Sequence, residues 1–244
     1  MSLVSQTKRK LAVVKDITFE TPSGRVDAYL VVPTGTVKAG LVLLHGFGPG
    51  LSRREFLSEA VALAKYGVES IVPAGSFPWQ ESPTGLAHDR KLVVRQVIEL
   101  RRAIDLLRSQ IHATRFAVVG HDFGATYAAD LAGADRRARA YVVIAGTTTF
   151  PDWFAIVNPG VDTPAYRRGF VDLNPITWIQ KAAPARTLFQ FGRDDNFVSR
   201  STATSFYRAA IGPKQLRFYR AGHDLNTAAR TYRSRWFRAQ LAIP

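Results

Sequence analysis

The sequence predicts an α/β fold built on one mixed, mostly parallel sheet with helices on both faces, and three observations predict it. Short β-branched apolar runs recur along the chain and stop abruptly at Gly, His or Asp. They are continuous rather than alternating, as strands buried on both faces must be. Amphipathic helical patterns separate these runs, the alternation that a parallel sheet requires, and an antiparallel hairpin precedes them.

Taken in order, residues 13–21 and 25–32 flank Pro22-Ser23-Gly24 and read as that hairpin. The run 41–44 stops at His45-Gly46, and a helix is expected over 52–66. Residues 68–72 form the next strand, ending at Pro73. Over 86–110, Val93, Val97, Leu100, Ile104 and Leu107 form one apolar stripe, with Arg95, Glu99, Arg102 and Arg108 elsewhere on the helix. That helix reads as packing alone. The run 116–119 stops at Gly120-His121-Asp122 and a helix follows over 124–131. The run 141–144 stops at Ala145-Gly146, and 187–191 at Gly192. A helix over 199–211 follows, then a strand at 216–219 leading into Ala221-Gly222-His223, then a helix over 227–241.

The segment 147–184 breaks this rhythm. It offers no clean strand or long helix, but holds Trp153, Phe154, Tyr166 and Trp178 with Pro151, Pro159, Pro164, Pro175 and Pro184. An irregular stretch of that length within a compact domain reads as a short lid. The expected organisation is therefore a single domain, 1–244, with a lid insertion at 147–184.

Composition narrows the function. At 46% hydrophobic and 21% charged residues the chain is an ordinary globular protein. No apolar run approaches the roughly 20 residues of a membrane span. Lys8, Arg9 and Lys10 are followed only by the apolar stretch 11–14, too short for a signal-peptide core, so a cytoplasmic protein is expected. With no cysteine, thiolate catalysis and cysteine-ligated zinc are excluded. The net charge of +14 raises the question of a polyanion partner. Its carriers, Arg53/Arg54, Arg101/Arg102, Arg136/Arg137/Arg139 and Arg230/Arg233/Arg235/Arg238, lie in separate segments and read as solvated faces. No nucleic-acid or membrane partner is expected. Without a dinucleotide fingerprint, a Walker loop or metal-ligand spacing, neither cofactor nor metal is expected, and the partner is a small-molecule substrate.

The chemistry concentrates at strand ends. Gly120-His121-Asp122-Phe123-Gly124-Ala125 lies directly after a strand and before a helix, the setting of a nucleophile elbow, with Asp122 where Ser is usual. Downstream, Asp195 follows Gly192 in Gly192-Arg193-Asp194-Asp195, and His223 follows the last strand. Asp194 is the second candidate for the acid and Asp152 the third. Upstream, His45-Gly46-Phe47-Gly48 is a glycine-rich turn suited to an oxyanion hole. A carboxylate of reference pKa about 3.9 is ionised at neutral pH and attacks without a base. The histidine is then left to activate water. Such a nucleophile suits a saturated carbon bearing a leaving group, because attack on a carboxylic ester would give a mixed anhydride.

On these motifs the chain resembles the α/β-hydrolase superfamily over nearly its full length. In size and outline it is similar to dienelactone hydrolases and small esterases. The Gly-His-Asp-Phe-Gly elbow resembles epoxide hydrolases and haloalkane dehalogenases. The resemblance implies Asp122 as nucleophile, His223 as base, Asp195 as its orienting acid, and the Phe47 and Phe123 amides as the oxyanion hole. Gly48 stands where epoxide hydrolases carry proline, with Pro49 one residue late, and Phe123 where dehalogenases carry tryptophan. Tyr166 is the candidate donor to an epoxide alkoxide, Trp153 or Trp178 to a halide, and Trp79 a pocket wall. A small epoxide or halogenated substrate is the first expectation, and a dienelactone-type or simple carboxylic ester the second. A non-hydrolysing binding protein on the same scaffold is the third. His45 is expected to prop its loop, His121 to point away from the site, and His88 and His112 to be surface or helix-end residues.

Overall fold

The computed structural model describes residues 1–48, 51–110 and 115–244; Pro49 and His112 lie outside them. The strands are β1 (Ser2–Lys8), β2 (Ala12–Thr21), β3 (Gly24–Pro33), β4 (Ala39–Leu44), β5 (Val68–Pro73), β6 (Phe116–His121), β7 (Ala138–Ile144), β8 (Arg186–Gly192) and β9 (Lys214–Tyr219). They form one sheet in the order β1-β2-β3-β5-β4-β6-β7-β8-β9. The β1–β2, β2–β3 and β3–β5 pairs are antiparallel, and every other pair is parallel. The expected mixed, mostly parallel sheet is borne out. The strand order reverses at β4, which has β5 on one side and β6 on the other, and ligands of open α/β sheets bind at such a switch point.

The helices are α1 (Leu57–Ala64), α2 (Leu86–Gln110), α3 (Phe123–Ala134), α4 (Phe150–Val157), α5 (Pro164–Gly169), α6 (Pro175–Ile179), α7 (Arg200–Ala209) and α8 (Thr227–Gln240). One face of the sheet packs with Val93, Leu100 and Ile104 of α2, Tyr127 and Leu131 of α3 and Phe206 of α7. The other packs with Ala60 and Leu63 of α1 and Trp236 and Phe237 of α8. Strands β4, β5 and β6 are buried throughout, as their unbroken apolar runs require.

Three elements differ from expectation. β1 is exposed along its whole length and carries no burial pattern that a sequence could reveal. The helix expected over 52–66 begins only at Leu57. Turn bonds from Glu55 N–H to Ser52 and from Leu57 N–H to Arg54 occupy the preceding stretch. The segment 147–184 is not a loop: it forms α4, a 3-10 turn at Pro159–Val161, α5 and α6. Each of these begins with a proline in its first positions, where the missing N–H costs nothing. Thr149, Asn158 and Thr163 cap three of them through their side chains.

Lys65, Arg230, Arg235 and Arg238 line one cleft between α1 and α8. Glu59 lines the same cleft and is held by Arg233, whose Nε lies 2.9 Å from Oε1. Among the described residues no helix is long and apolar enough to cross a membrane.

Glu69 sits inside β5 at 3% exposure. Burial pushes its carboxyl from 4.5 up to about 7, against the pull of Lys15. A raised folded-state value stabilises the fold fully below the unfolded value, and that contribution is lost as pH rises through about 7. Glu69→Gln is therefore expected to stabilise the protein by ~1–3 kcal/mol at about pH 8 and by much less at about pH 4, read from urea midpoints.

Candidate active site

β6 delivers the chain to a turn that its glycines make possible. A Cβ at Gly120 would lie 2.1 Å from the Gly124 carbonyl oxygen, and one at Gly124 would lie 2.3 Å from that of Leu44. Between them Asp122 adopts φ 56 and ψ −119 and leads directly into α3. A non-glycine residue held at positive φ costs on the order of 1–3 kcal/mol, a cost that functional sites characteristically bear. Asp122 N–H donates to Ile144 at 2.9 Å, tying the elbow to β7.

The two carboxylate oxygens of Asp122 have different surroundings. Oδ2 accepts a hydrogen bond from the Phe47 amide at 2.7 Å. Oδ1 is buried without a hydrogen-bond partner among the described residues, and His223 Nε2 lies 3.7 Å from it. His223 Nδ1 in turn lies 3.0 Å from Asp195 Oδ2 and 3.1 Å from Oδ1. Asp195 Oδ1 also accepts from the amides of Phe197 at 2.8 Å and Val198 at 3.0 Å, which fix the carboxylate in place. The other candidate acids lie elsewhere. Asp194 makes a backbone bond to Ala221, and Asp152 pairs with Arg167 at 2.9 Å.

Burial opposes a charge on His223, but the Asp122 and Asp195 carboxylates prevail and push it up to about 9. Asp195 is held below its ordinary value: burial raises it, and His223 with two backbone amides outweighs that. In the resting site His223 is thus an imidazolium between two carboxylates at neutral pH.

Aromatic rings surround this arrangement. The Phe123 ring lies 5.3 Å from Trp153, 5.6 Å from Phe47 and 5.8 Å from Trp79. Trp153, in the first turn of α4, meets His223 edge-on at 5.7 Å. Its Nε1 is buried without a partner among the described residues. Trp79 spends its N–H on the Gly46 carbonyl at 2.9 Å. Phe197, two residues after Asp195 and given no role by the sequence, packs 5.0 Å from His223 although 58% exposed.

Two expected substrate contacts are corrected. Tyr166 donates its hydroxyl to Asp89 at 2.6 Å, and Asp89 also accepts from Thr84 and Gly85 at the start of α2. Burial and that carboxylate push the phenol well above its ordinary value, so it is no acid at neutral pH. Trp178 donates to the Asp172 carbonyl at 2.9 Å and stacks under Lys181. Both residues fasten the 147–184 segment to its surroundings.

Nor is α2 packing alone. Gln96 and Glu99 are buried, and they accept from Ser76 N–H at 2.7 Å and Ser76 O–H at 2.6 Å, fixing the loop that carries Trp79. His45 props the turn after β4, with Nδ1 2.8 Å from the Gly46 carbonyl and Nε2 accepting from Gly75 N–H. Burial lowers its pKa, in keeping with that neutral tautomer. His88 lies at the exposed start of α2 beside Asp89. His121 does not simply face away: its ring packs 5.1 Å from that of His223. Among the described residues no three His, Asp or Glu side chains are grouped as metal ligands.

Asp122, His223 and Asp195 thus meet at the carboxyl edge of the sheet. The profile of the alpha/beta hydrolase family matches residues 41–241, and the chain belongs to that family. No curated protein matches it in sequence. Among solved structures it is similar to the acetyl xylan esterase from Paenibacillus sp. R4, with TM-score 0.76, 19% identity, and coverage of 98% of this chain and 87% of that one. It is also similar to an S-formylglutathione hydrolase from Agrobacterium tumefaciens, with TM-score 0.73, 15% identity and 99% of both chains covered. Est1E from Butyrivibrio proteoclasticus gives TM-score 0.72 at 12% identity over 96% of this chain and 100% of that one. At such identities the likeness is one of fold.

Proposed function

We propose that this hydrolase cleaves carbon–halogen bonds of small alkyl halides through a covalent ester of Asp122, beneath a short lid formed by 147–184 of a single domain. One observation carries the reading, the inequivalence of the Asp122 oxygens. Oδ2 already occupies the oxyanion position on the Phe47 amide, and Oδ1 keeps free lone pairs on the side of His223. Oδ1 attacks the substrate carbon, the carbon–halogen bond breaks, and halide departs with the electron pair. Water then gives a proton to His223 Nε2 while its oxygen attacks the Asp122 carbonyl carbon. The negative charge develops on Oδ2, against the Phe47 amide and the Phe123 amide at the start of α3. Collapse expels the alcohol, which takes its proton from His223, and the carboxylic acid left on Asp122 gives its remaining proton to His223, restoring the carboxylate.

The charge on His223 fits this order. Esterification neutralises Asp122 and removes one of the two carboxylates that hold the imidazole protonated. Its pKa falls, its proton passes to solvent, and it becomes a base when the second step needs one.

A halide is favoured over an epoxide because of the donors at hand. Tyr166 is committed to Asp89, whereas the Trp153 N–H has no partner among the described residues and its ring lies beside His223. A buried unpaired donor costs about 1–3 kcal/mol unless a ligand accepts from it. Trp153→Phe is expected to slow halide displacement by ~10–100-fold, the worth of a hydrogen bond to an anion. Tyr166→Phe should leave that rate nearly unchanged; equal losses in stopped-flow halide release would contradict the assignment.

The second reading is a small carboxylic ester, favoured by the likeness of fold to esterases. Asp122→Ser separates the two. A sharp gain in ester hydrolysis would mean a pocket shaped for esters.

A further inference from the structure

Glu55 plays no part in either half-reaction, yet its carboxylate reaches both loops that the second of them needs. Oε2 accepts from Gly46 N–H at 2.9 Å, and Oε1 lies 2.7 Å from His121 Nδ1. His121 Nε2 lies 3.3 Å from the carbonyl oxygen of His223. Both ring nitrogens of His121 thus face oxygen atoms, one on the Glu55 side chain and one on the His223 backbone. Burial pushes the Glu55 carboxyl up, but its bonds to His121 and to the Gly46 amide outweigh that and hold it below its ordinary value.

On one side this chain of bonds ends one residue before the oxyanion donor. The peptide linking Gly46 to Phe47 is held at three further points: its oxygen by Trp79 and His45, and its N–H by Asp122. On the other side it ends on the backbone of the base itself. Glu55 thus joins the loop after β4 to the loop after β9 through a single side chain and a single imidazole.

The two half-reactions make unequal demands on this link. Alkylation needs Asp122, whose position the elbow sets. Hydrolysis of the ester needs the Phe47 amide on the carbonyl oxygen and His223 on the attacking water at the same moment. Their separation then enters the rate, and displacements near 1 Å cost up to about a hundredfold. We infer that Glu55 is a positioning residue for hydrolysis of the ester intermediate, acting through Gly46 and His121. This inference rests on the Asp122 reading.

Single-turnover kinetics with a primary alkyl bromide test it, with halide release reporting alkylation and intact mass reporting the ester. Glu55→Ala is expected to slow ester hydrolysis by at least ~10-fold and alkylation by no more than ~3-fold, so that ester accumulates. Glu55→Gln should restore most of the hydrolysis rate, because its amide spans the same gap between Gly46 and His121. His121→Gln, which leaves the Gly46 bond intact, should show the same split, and it stands in if Glu55→Ala does not fold. Equal slowing of both steps, or none in either variant, overturns the inference.

Failure of the Asp122 reading is separately visible, as absence of ester in every protein including wild type. The Phe47 amide proton then decides by NMR. In Glu55→Ala it should move upfield as its bond to Asp122 lengthens, and recover in Glu55→Gln. An unmoved resonance overturns the inference whatever the substrate.

Discussion

Incubated with a primary alkyl halide, the His223→Ala protein is expected to gain the mass of the alkyl group on Asp122 and to keep it. Alkylation needs only the Asp122 carboxylate, which is oriented by the Phe47 amide without help from the imidazole. Release needs a base for water. Asp195 cannot supply one, because its carboxylate stands behind His223 and is tied to its own loop by the Phe197 and Val198 amides. The wild-type ester should turn over, so that only the variant accumulates adduct on peptide mapping. General-base catalysis contributes on the order of 10²–10⁴-fold, ample to separate the two by mass spectrometry. An alkyl group found elsewhere, or none, would count against Asp122 as nucleophile. If no substrate is turned over and a ligand still raises the melting temperature, a binding protein on this scaffold becomes the better account.

Asp122→Asn is the second large effect. An amide is a poor nucleophile, so turnover should fall by on the order of 10⁴-fold. The same substitution removes a carboxylate that raises His223, which should titrate well below its wild-type value of about 9. The sign carries into stability. His223 stabilises the wild-type fold fully below its unfolded value of 6.5, and that contribution is lost as pH rises through about 9. Between these limits wild-type stability should decline with pH, and the decline should be shallower in Asp122→Asn. Histidine NMR and urea titrations over this range check both statements.

Much of this is legible in the sequence because strand ends are legible. The runs before His45 and Asp122 are continuous and apolar, those before Asp195 and His223 are apolar at most positions but interrupted by Gln190 and Arg217, and the residues just beyond all four stand at the sheet's edge. β1 is not legible, since an edge strand exposed on every residue has no burial pattern. The prolines of 147–184 signal helix starts as well as loops. Only the caps at Thr149, Asn158 and Thr163, seen in the folded chain, decide for helices.

Side-chain partners are harder to read. Trp153 and Trp178 are alike in sequence, and only packing separates an indole beside His223 from one bonded to the Asp172 carbonyl. Tyr166 reads as a free donor because its acceptor, Asp89, lies 77 positions away. Glu55 gives no signal at all: it lies in a turn, and its partners Gly46 and His121 meet it only in the folded chain.

The central claim is that water attacks the Asp122 ester and not the substrate carbon, and a single turnover in water labelled with heavy oxygen tests it most directly. With enzyme in excess over an alkyl halide, the alcohol should leave carrying an unlabelled oxygen taken from Asp122. The peptide containing Asp122 should gain one heavy oxygen. A labelled alcohol with an unlabelled Asp122 peptide would contradict the covalent mechanism outright.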